Sequence, residues 1–87
     1  MRVLLAEDEK ELSRVLCAAM QSKGYEVIPV YNGVEAVKKA EDEIFDAMLF
    51  DVMMPVMTGI EAVQEIRAAG NQTYIIMLTA MSEVDDK

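Results

Sequence analysis

Two apolar segments of this chain end on acidic side chains that could bind a metal ion or react. Residues 3–6 are followed by Glu7 and Asp8, and residues 47–50 are followed by Asp51. If both segments are parallel strands, their carboxyl ends meet at one edge of a sheet, where α/β folds place ligands and chemistry. Carboxylate oxygens at that edge favour a hard divalent cation such as Mg²⁺. The cation would neutralise charge on an incoming phosphoryl group that one carboxylate attacks in line.

A hydroxyl group is predicted at the same edge. Thr79 closes a third apolar run, residues 74–78, so it would lie at the carboxyl end of a neighbouring strand. Its side chain is small enough to hydrogen-bond a phosphoryl oxygen that arrives beside it.

The chain alternates predicted strands and helices with short breaks between them. Strands are predicted near residues 2–6, 25–30, 46–50 and 74–78. The last is a continuous apolar run, as expected of a parallel strand covered on both faces. Pro29 cannot donate to a strand ladder, so the second strand is expected at an edge of the sheet. The order βαβαβαβ with short connections predicts parallel strands joined by right-handed crossovers.

Three complete helices are predicted between the strands. Gly24 is expected to end the first helix in a left-handed conformation. Residues 32–33 predict a turn before the second helix, and Thr58 with Glu61 predicts a capping box at the start of the third. A further capping box at residues 82–85 predicts that a fourth helix begins where the sequence stops. The first helix carries apolar residues at the spacing of one helical face: Leu12, Val15, Leu16, Ala19 and Met20.

Composition excludes several classes of function. The 87 residues contain 16 acids, 8 bases and no histidine, for a net charge of −8, which disfavours contact with nucleic-acid phosphates. Without histidine there is no histidine-based catalysis and no histidine-ligated zinc. No apolar run approaches the roughly 18 residues that would suggest a membrane span. The single cysteine, Cys17, cannot form an internal disulfide and is expected to pack on a helix.

Three motifs of this sequence resemble, in order and spacing, the receiver domain of bacterial two-component response regulators. They are Glu7-Asp8-Glu9, the segment of residues 50–59 with sequence FDVMMPVMTG, and residues 77–80 with sequence MLTA. The resemblance extends over all 87 residues. It implies a flavodoxin-like (CheY-like) parallel sheet with strand order 2-1-3-4-5, which agrees with the edge position that Pro29 predicts.

The resemblance also implies roles for individual residues. Asp51 would accept a phosphoryl group from the phosphohistidine of a sensor histidine kinase. Mg²⁺ would be held by the side chains of Glu7, Asp8 and Asp51 and by the backbone carbonyl of Met53. Thr79 would be the switch hydroxyl that follows the phosphoryl group. The small residue that leaves space for this movement would be Ala80.

The family pattern continues with a fifth strand, bearing a lysine and an aromatic residue, and a closing helix, which nothing here matches. Lys87 lies in the predicted fourth helix and is not assigned the lysine's role. We therefore expect residues 1–87 to form a partial receiver domain with strand order 2-1-3-4, ending at the start of its fourth helix. Slow phosphoryl transfer, lost switching and association through the exposed fourth-strand edge or exchanged elements are expected to follow.

The implied setting is cytoplasmic, with a sensor histidine kinase as partner and a C-terminal output domain, often DNA-binding, in the full-length protein. The segment itself would contact neither nucleic acid nor membrane and would not be a turnover enzyme. One alternative is a phosphohydrolase of the haloacid dehalogenase style, although Met53 stands where that class has a second acid. Another is an oligomerising structural fragment without activity. Flavin binding is disfavoured because Glu7-Asp8-Glu9 would repel its phosphate.

Overall fold

The structure is a computed structural model that describes residues 1–78. Strands and helices alternate along this part of the chain. Thr79, Ala80, the capping box at residues 82–85 and Lys87 lie outside the described residues. The elements follow the predicted order closely: β1 Arg2–Ala6, α1 Lys10–Gln21, β2 Glu26–Val30, α2 Gly33–Asp42, β3 Ala47–Asp51, α3 Gly59–Ala68 and β4 Tyr74–Leu78.

The strands form one parallel sheet in the order β2-β1-β3-β4. In its register Leu4 pairs with Ile28 of β2 and Met48 of β3, and Met48 pairs with Ile75 of β4. Pro29 lies on the edge strand β2, opposite Leu5, as its missing N–H predicts. The flavodoxin-like strand order expected from the sequence is therefore confirmed.

The main core lies between the sheet and the helices α2 and α3. Leu4, Met48 and Phe50 are fully buried there, and they pack with Ala36 of α2 and Ala62 of α3. Burying a side chain of the size of leucine or phenylalanine stabilises the fold by about 1.5–3 kcal/mol. Phe50 immediately precedes Asp51, so this core anchors the strand that carries the acid.

The other face of the sheet is only partly covered. Side chains alternate along a strand, so Val3 and Leu5 point to this second face, beneath α1, which packs against β1 and β2. Among residues 1–78, no element covers the same face of β3 and β4. We call the resulting apolar surface the open face; its residues include Leu12, Val15, Tyr74 and Ile76, with exposures of 41%, 58%, 68% and 41%.

The open face changes two expectations. The apolar stripe of α1 forms, but Leu12 and Val15 are exposed, and the buried residue of the helix is Ser13. Likewise β4 is packed against the core on one face, while Tyr74 and Ile76 on the other are exposed. Sequence periodicity identifies which residues share a face, but another element must pack there before they are buried.

Polar caps set where the helices begin and end. The Thr58 hydroxyl accepts the Glu61 N–H at 3.2 Å and the Thr58 N–H donates to Glu61 at 3.0 Å, so the predicted capping box is confirmed. Asn32, predicted within a turn, caps α2 by accepting the Glu35 N–H at 2.9 Å. Gly24 has φ +95°, the left-handed conformation expected after α1. In residues 1–78 no helix has the length and apolar character needed to cross a bilayer.

Candidate functional site

Three acids predicted to share a site meet at the carboxyl edge of the sheet. One carboxylate oxygen from each of Glu7, Asp8 and Asp51 lies within 4.8 Å of the others. The strand ladder holds their backbones at this edge, because the Glu7 N–H donates to the Val30 carbonyl at 3.1 Å. On the other side, the residue after Asp51 donates its N–H to the carbonyl of Leu78, the last residue of β4, at 3.1 Å. The site is therefore built by the two central strands and held by both of their neighbours.

Glu7 is the most enclosed of the three acids. Its side chain is buried, with 4% exposure, and it accepts the Glu9 N–H at 3.1 Å. Burial raises the pKa of the Glu7 carboxyl, and the negative charges of Asp51 and Asp8 raise it further, while the Glu9 hydrogen bond opposes them. A carboxylate in this position is destabilised unless a cation or a proton neutralises it.

Asp51 is half-buried at the end of β3. Burial is also the main cause that raises the pKa of its carboxyl, and the charge of Asp8 adds to it. The Met53 N–H donates to an Asp51 oxygen at 3.4 Å, a long hydrogen bond that favours the charged form only weakly. Asp51 thus has limited stabilisation of its charge from the protein.

The chemistry of this donor set fits a hard divalent cation. All three side chains offer oxygen, and the cluster contains no nitrogen or sulfur ligand that would favour a transition metal. In residues 1–78 none of the three acids forms an ion pair with a base within 4.0 Å, so their mutual repulsion falls when a dication binds. The residues present therefore fit Mg²⁺.

The acids lie in an open cleft with a volume of about 970 Å³. This volume exceeds what a cation and a phosphoryl group need, so a larger partner group could reach Asp51. Polar lining comes from the three acids with Glu9 and Lys10, and apolar lining comes from Leu12, Leu16, Met53, Met77 and Leu78.

Gly59, the first residue of α3, fixes the segment that follows Asp51. Its N–H donates to the Val52 carbonyl at 2.9 Å, and a Cβ atom at Gly59 would clash with the backbone carbonyl of Asp51. In the sequence, Gly59 belongs to the helix start and to the 50–59 motif, and neither pattern predicts this contact. A signal was present, because the first position of a helix does not itself require glycine.

The loop between Asp51 and α3 contains one strained residue. Val56 has φ +70°, which is unfavourable for a β-branched side chain, and it is 83% exposed. Such a conformation costs on the order of 1–3 kcal/mol. Packing of the residues on either side must therefore hold the loop.

Of the other predicted site residues, Met53 lies within the described part of the chain, and Thr79 and Ala80 do not. Met53 lines the cleft with a half-exposed side chain, and metal binding by its carbonyl stays a prediction. Thr79 and Ala80 follow Leu78, which pairs with Asp51 in the sheet and lines the cleft, but they lie beyond the described residues. Their roles also stay predictions.

Comparison with known proteins identifies the family. The family model described as the response regulator receiver domain matches residues 3–87. The chain is 35% identical over 85 residues to the uncharacterized transcriptional regulatory protein YkoG of Bacillus subtilis, covering 98% of this chain and 37% of that protein. It is 36% identical over 87 residues to the transcriptional regulatory protein DltR of Streptococcus agalactiae, covering 100% of this chain and 39% of DltR. The chain thus spans less than two-fifths of these relatives.

Solved structures show the same fold. The response regulator TrrA of Thermotoga maritima, in complex with Mg²⁺ and BeF, has a TM-score of 0.87 and 35% identity, over 99% of this chain and 75% of that one. The receiver domain of the Pseudomonas aeruginosa sensor histidine kinase PA1611 has a TM-score of 0.89 and 40% identity, over 98% and 71%. That structure has a magnesium ion coordinated in its active-site cleft.

Proposed function

This chain belongs to the response regulator receiver domain family, and we propose that Asp51 is its phosphoacceptor. One observation carries the proposal: Asp51 stands at the end of β3 in an open cleft, with its carboxylate within 4.8 Å of oxygens from Glu7 and Asp8. A nucleophile for phosphoryl transfer needs access for the phosphoryl donor and a cation beside it; the open cleft allows the access, and the three carboxylates would hold the cation. As a receiver domain, the chain is a signalling module rather than a turnover enzyme.

In the proposed reaction an Asp51 oxygen attacks the phosphorus of a phosphohistidine on a sensor histidine kinase. The new bond is P–O, the bond that breaks is P–N, and the imidazole leaves with the electron pair and is protonated from solvent. Bound Mg²⁺ would supply neutralisation of the phosphoryl charge. Glu7 and Asp8 would hold it together with Asp51 and the Met53 carbonyl, while the Met53 N–H orients the attacking carboxylate.

Thr79 and Ala80 have proposed roles in the step after transfer. The Thr79 hydroxyl would hydrogen-bond a phosphoryl oxygen on Asp51, and the small Ala80 would leave space for Thr79 to move inward. Support comes from Leu78, the residue before Thr79 in the sequence, which pairs with Asp51 in the sheet and lines the cleft. Because the phosphoryl group carries about −1.5 to −2 charges where the carboxylate carried −1, it would draw a hydroxyl donor toward Asp51.

The wider setting is proposed from the relatives. The relatives are transcriptional regulatory proteins, and this chain spans under two-fifths of their length. We therefore propose that the whole protein has an output domain, often DNA-binding. The partner that delivers the phosphoryl group would be a sensor histidine kinase. A cytoplasmic location, expected from the resemblance, stays a prediction.

We also propose that two copies of the chain associate through the edge of β4 that faces away from β3. In residues 1–78 this strand pairs only with β3, and residues 68–82 carry no charged side chain although the chain has a net charge of −8. A charge-free strand edge lacks the side chains that normally block pairing between molecules. Two copies could pair their β4 edges about a two-fold axis without charge repulsion.

Sedimentation of the wild-type chain and an Ile76→Lys variant tests this association. Ile76 is exposed on the open face, so the substitution places a charge on β4 without disturbing the core. We expect a dimer for wild type and a monomer for the variant. A folded wild-type monomer at micromolar concentration would refute the association. The alternative of an oligomerising fragment without activity predicts a dimer that neither binds Mg²⁺ nor accepts a phosphoryl group.

Labelling with acetyl phosphate and Mg²⁺ tests the phosphoacceptor function. We expect intact mass to show one added phosphoryl group, peptide mapping to place it on Asp51, and Asp51→Asn to abolish it. Asp42→Asn, at the exposed end of α2, is the control and should label as wild type does. Equal labelling of Asp51→Asn would refute the assignment. Repeated turnover of simple phosphate esters would favour the phosphohydrolase alternative.

A further inference from the structure

The cleft beside Asp51 contains one positively charged residue that the proposed phosphoryl transfer does not yet use. We propose that the ammonium group of Lys10 contacts the phosphoryl group once Asp51 carries it. This role rests on the proposed phosphoacceptor function of Asp51.

The first support is the position of Lys10. It lines the cleft together with Glu7, Asp8 and Asp51, and it is the only lysine or arginine that does so among residues 1–78. Transfer of a phosphoryl group needs positive charge where negative charge develops. Beyond a bound metal ion, Lys10 is the group in the described part of the cleft that can supply it.

The second support is that helix stability does not explain a lysine here. Lys10 is the first residue of α1, where the helix dipole favours negative and disfavours positive side chains. Although acids surround it on both sides in the sequence, Lys10 takes part in none of the ion pairs within 4.0 Å in residues 1–78. Its ammonium is therefore not committed to a carboxylate.

The third support is the contact that the Lys10 ammonium makes instead. It lies 5.2 Å from the centroid of the Tyr31 ring, in the segment that follows the neighbouring strand β2. A cation–π contact at an exposed site is weak, and the four-carbon stem of lysine is flexible. A phosphoryl group on Asp51 carries about −1.5 to −2 charges where the carboxylate carried −1. The added charge favours movement of the ammonium from the ring to a phosphoryl oxygen.

This role predicts that loss of the Lys10 charge slows phosphoryl transfer without weakening Mg²⁺ binding. The Lys10 ammonium repels a dication bound by the three acids, so loss of its charge should leave Mg²⁺ affinity unchanged or increase it about two- to fivefold. The same loss should slow labelling of Asp51, because the transferred group loses a positive contact. A residue that only supported the fold would weaken both.

The experiment compares Lys10→Gln and Lys10→Arg with Lys23→Gln, which removes the same charge from an exposed position after α1. With acetyl phosphate and Mg²⁺ we expect Lys10→Gln to be labelled about 10–100-fold more slowly than wild type, and Lys10→Arg to retain most of the rate. Lys23→Gln should label as wild type does. Mg²⁺ titration of each variant measures the second quantity.

Nuclear magnetic resonance gives a readout that does not depend on rate. Addition of Mg²⁺ and beryllofluoride, a phosphoryl analogue, should shift the Tyr31 ring and Lys10 side-chain signals of the wild type as their contact is lost. Labelling of Lys10→Gln within twofold of wild type, or unmoved Lys10 signals, would overturn this role while the function of Asp51 stands. Failure of the wild type to label at all would overturn the phosphoacceptor function, and the role of Lys10 with it.

Discussion

Replacing Asp51 by asparagine should stabilise the metal-free protein. The substitution keeps the shape of the side chain and removes one of three negative charges whose oxygens lie within 4.8 Å of one another. At that separation each pair of unit charges repels by about 0.9 kcal/mol in bulk water and by about 3.5 kcal/mol at an effective dielectric constant of 20. Asp51 repels both Glu7 and Asp8, but the open cleft screens the charges. We therefore expect the free energy of unfolding to rise by about 1–2 kcal/mol.

Mg²⁺ should reverse the order of stability. A ligand that binds only the folded state, present at 100 times its dissociation constant, adds about 2.7 kcal/mol. Wild type should gain this stabilisation, whereas Asp51→Asn, which lacks one of the proposed ligands, should gain much less. The two proteins therefore exchange rank when the metal is added.

Thermal and urea unfolding at neutral pH, with chelator or with Mg²⁺, measure this exchange. For a domain of this size a gain of 1–2 kcal/mol corresponds to roughly 5–15 °C in the midpoint of thermal unfolding. Asp42→Asn removes a charge at the exposed end of α2 and should follow wild type in both conditions. If Asp51→Asn is no more stable than wild type in chelator, the carboxylates do not repel as the geometry requires. If Mg²⁺ stabilises both proteins equally, the metal binds elsewhere.

Three further substitutions or conditions test the site. Gly59→Ala should destabilise the protein by about 1–3 kcal/mol and reduce its stabilisation by Mg²⁺, because the new Cβ clashes with the Asp51 carbonyl. The control is Gly70→Ala, where positive φ strains alanine but the space is open; it should lose stability in urea titration and keep its stabilisation by Mg²⁺. Val56→Asn should raise the free energy of unfolding, measured by urea titration, by about 0.5–1 kcal/mol, because asparagine tolerates positive φ and little packing is lost. An unchanged free energy of unfolding would contradict the strain. Acidification should weaken Mg²⁺ binding and stabilise the metal-free protein. The pKa values of Glu7 and Asp51 are raised in the folded state, so as pH falls through these values the folded state binds more protons than the unfolded state. A wild-type minus Asp51→Asn stability difference that does not change with pH would contradict this linkage.

Local sequence signals predicted the elements that carry the site well. Thr58 and Glu61 predicted the start of α3, and Pro29 predicted an edge strand. Both predictions succeeded because these features depend on hydrogen bonds or geometry within a few residues. The Asn32 prediction was less successful, since the same asparagine signal serves turns and helix caps alike. The residue types at the strand ends likewise indicate oxygen-ligand chemistry, because carboxylates offer only oxygen ligands.

The contacts that complete the site depend on how distant segments pack. Gly59 is required because α3 approaches the Asp51 carbonyl, and no pattern within α3 reveals that approach. Lys10 faces Tyr31 because α1 lies over β1 and β2, and the same placement leaves Leu12 and Val15 exposed. A periodic pattern can assign side chains to one face of a helix, but it contains no information about what covers that face.

By itself, the sequence determined the order of strands and helices, the family, and the acids available at the sheet edge, because these follow from short-range patterns and from residue chemistry. Tertiary structure alone decided that oxygens of Glu7, Asp8 and Asp51 lie within 4.8 Å and share an open cleft. The physical reason is the register of the parallel sheet. Pairing of Ala6 with Phe50 brings together residues far apart in the chain, and shifting that pairing by one residue would turn Asp51 to the opposite face.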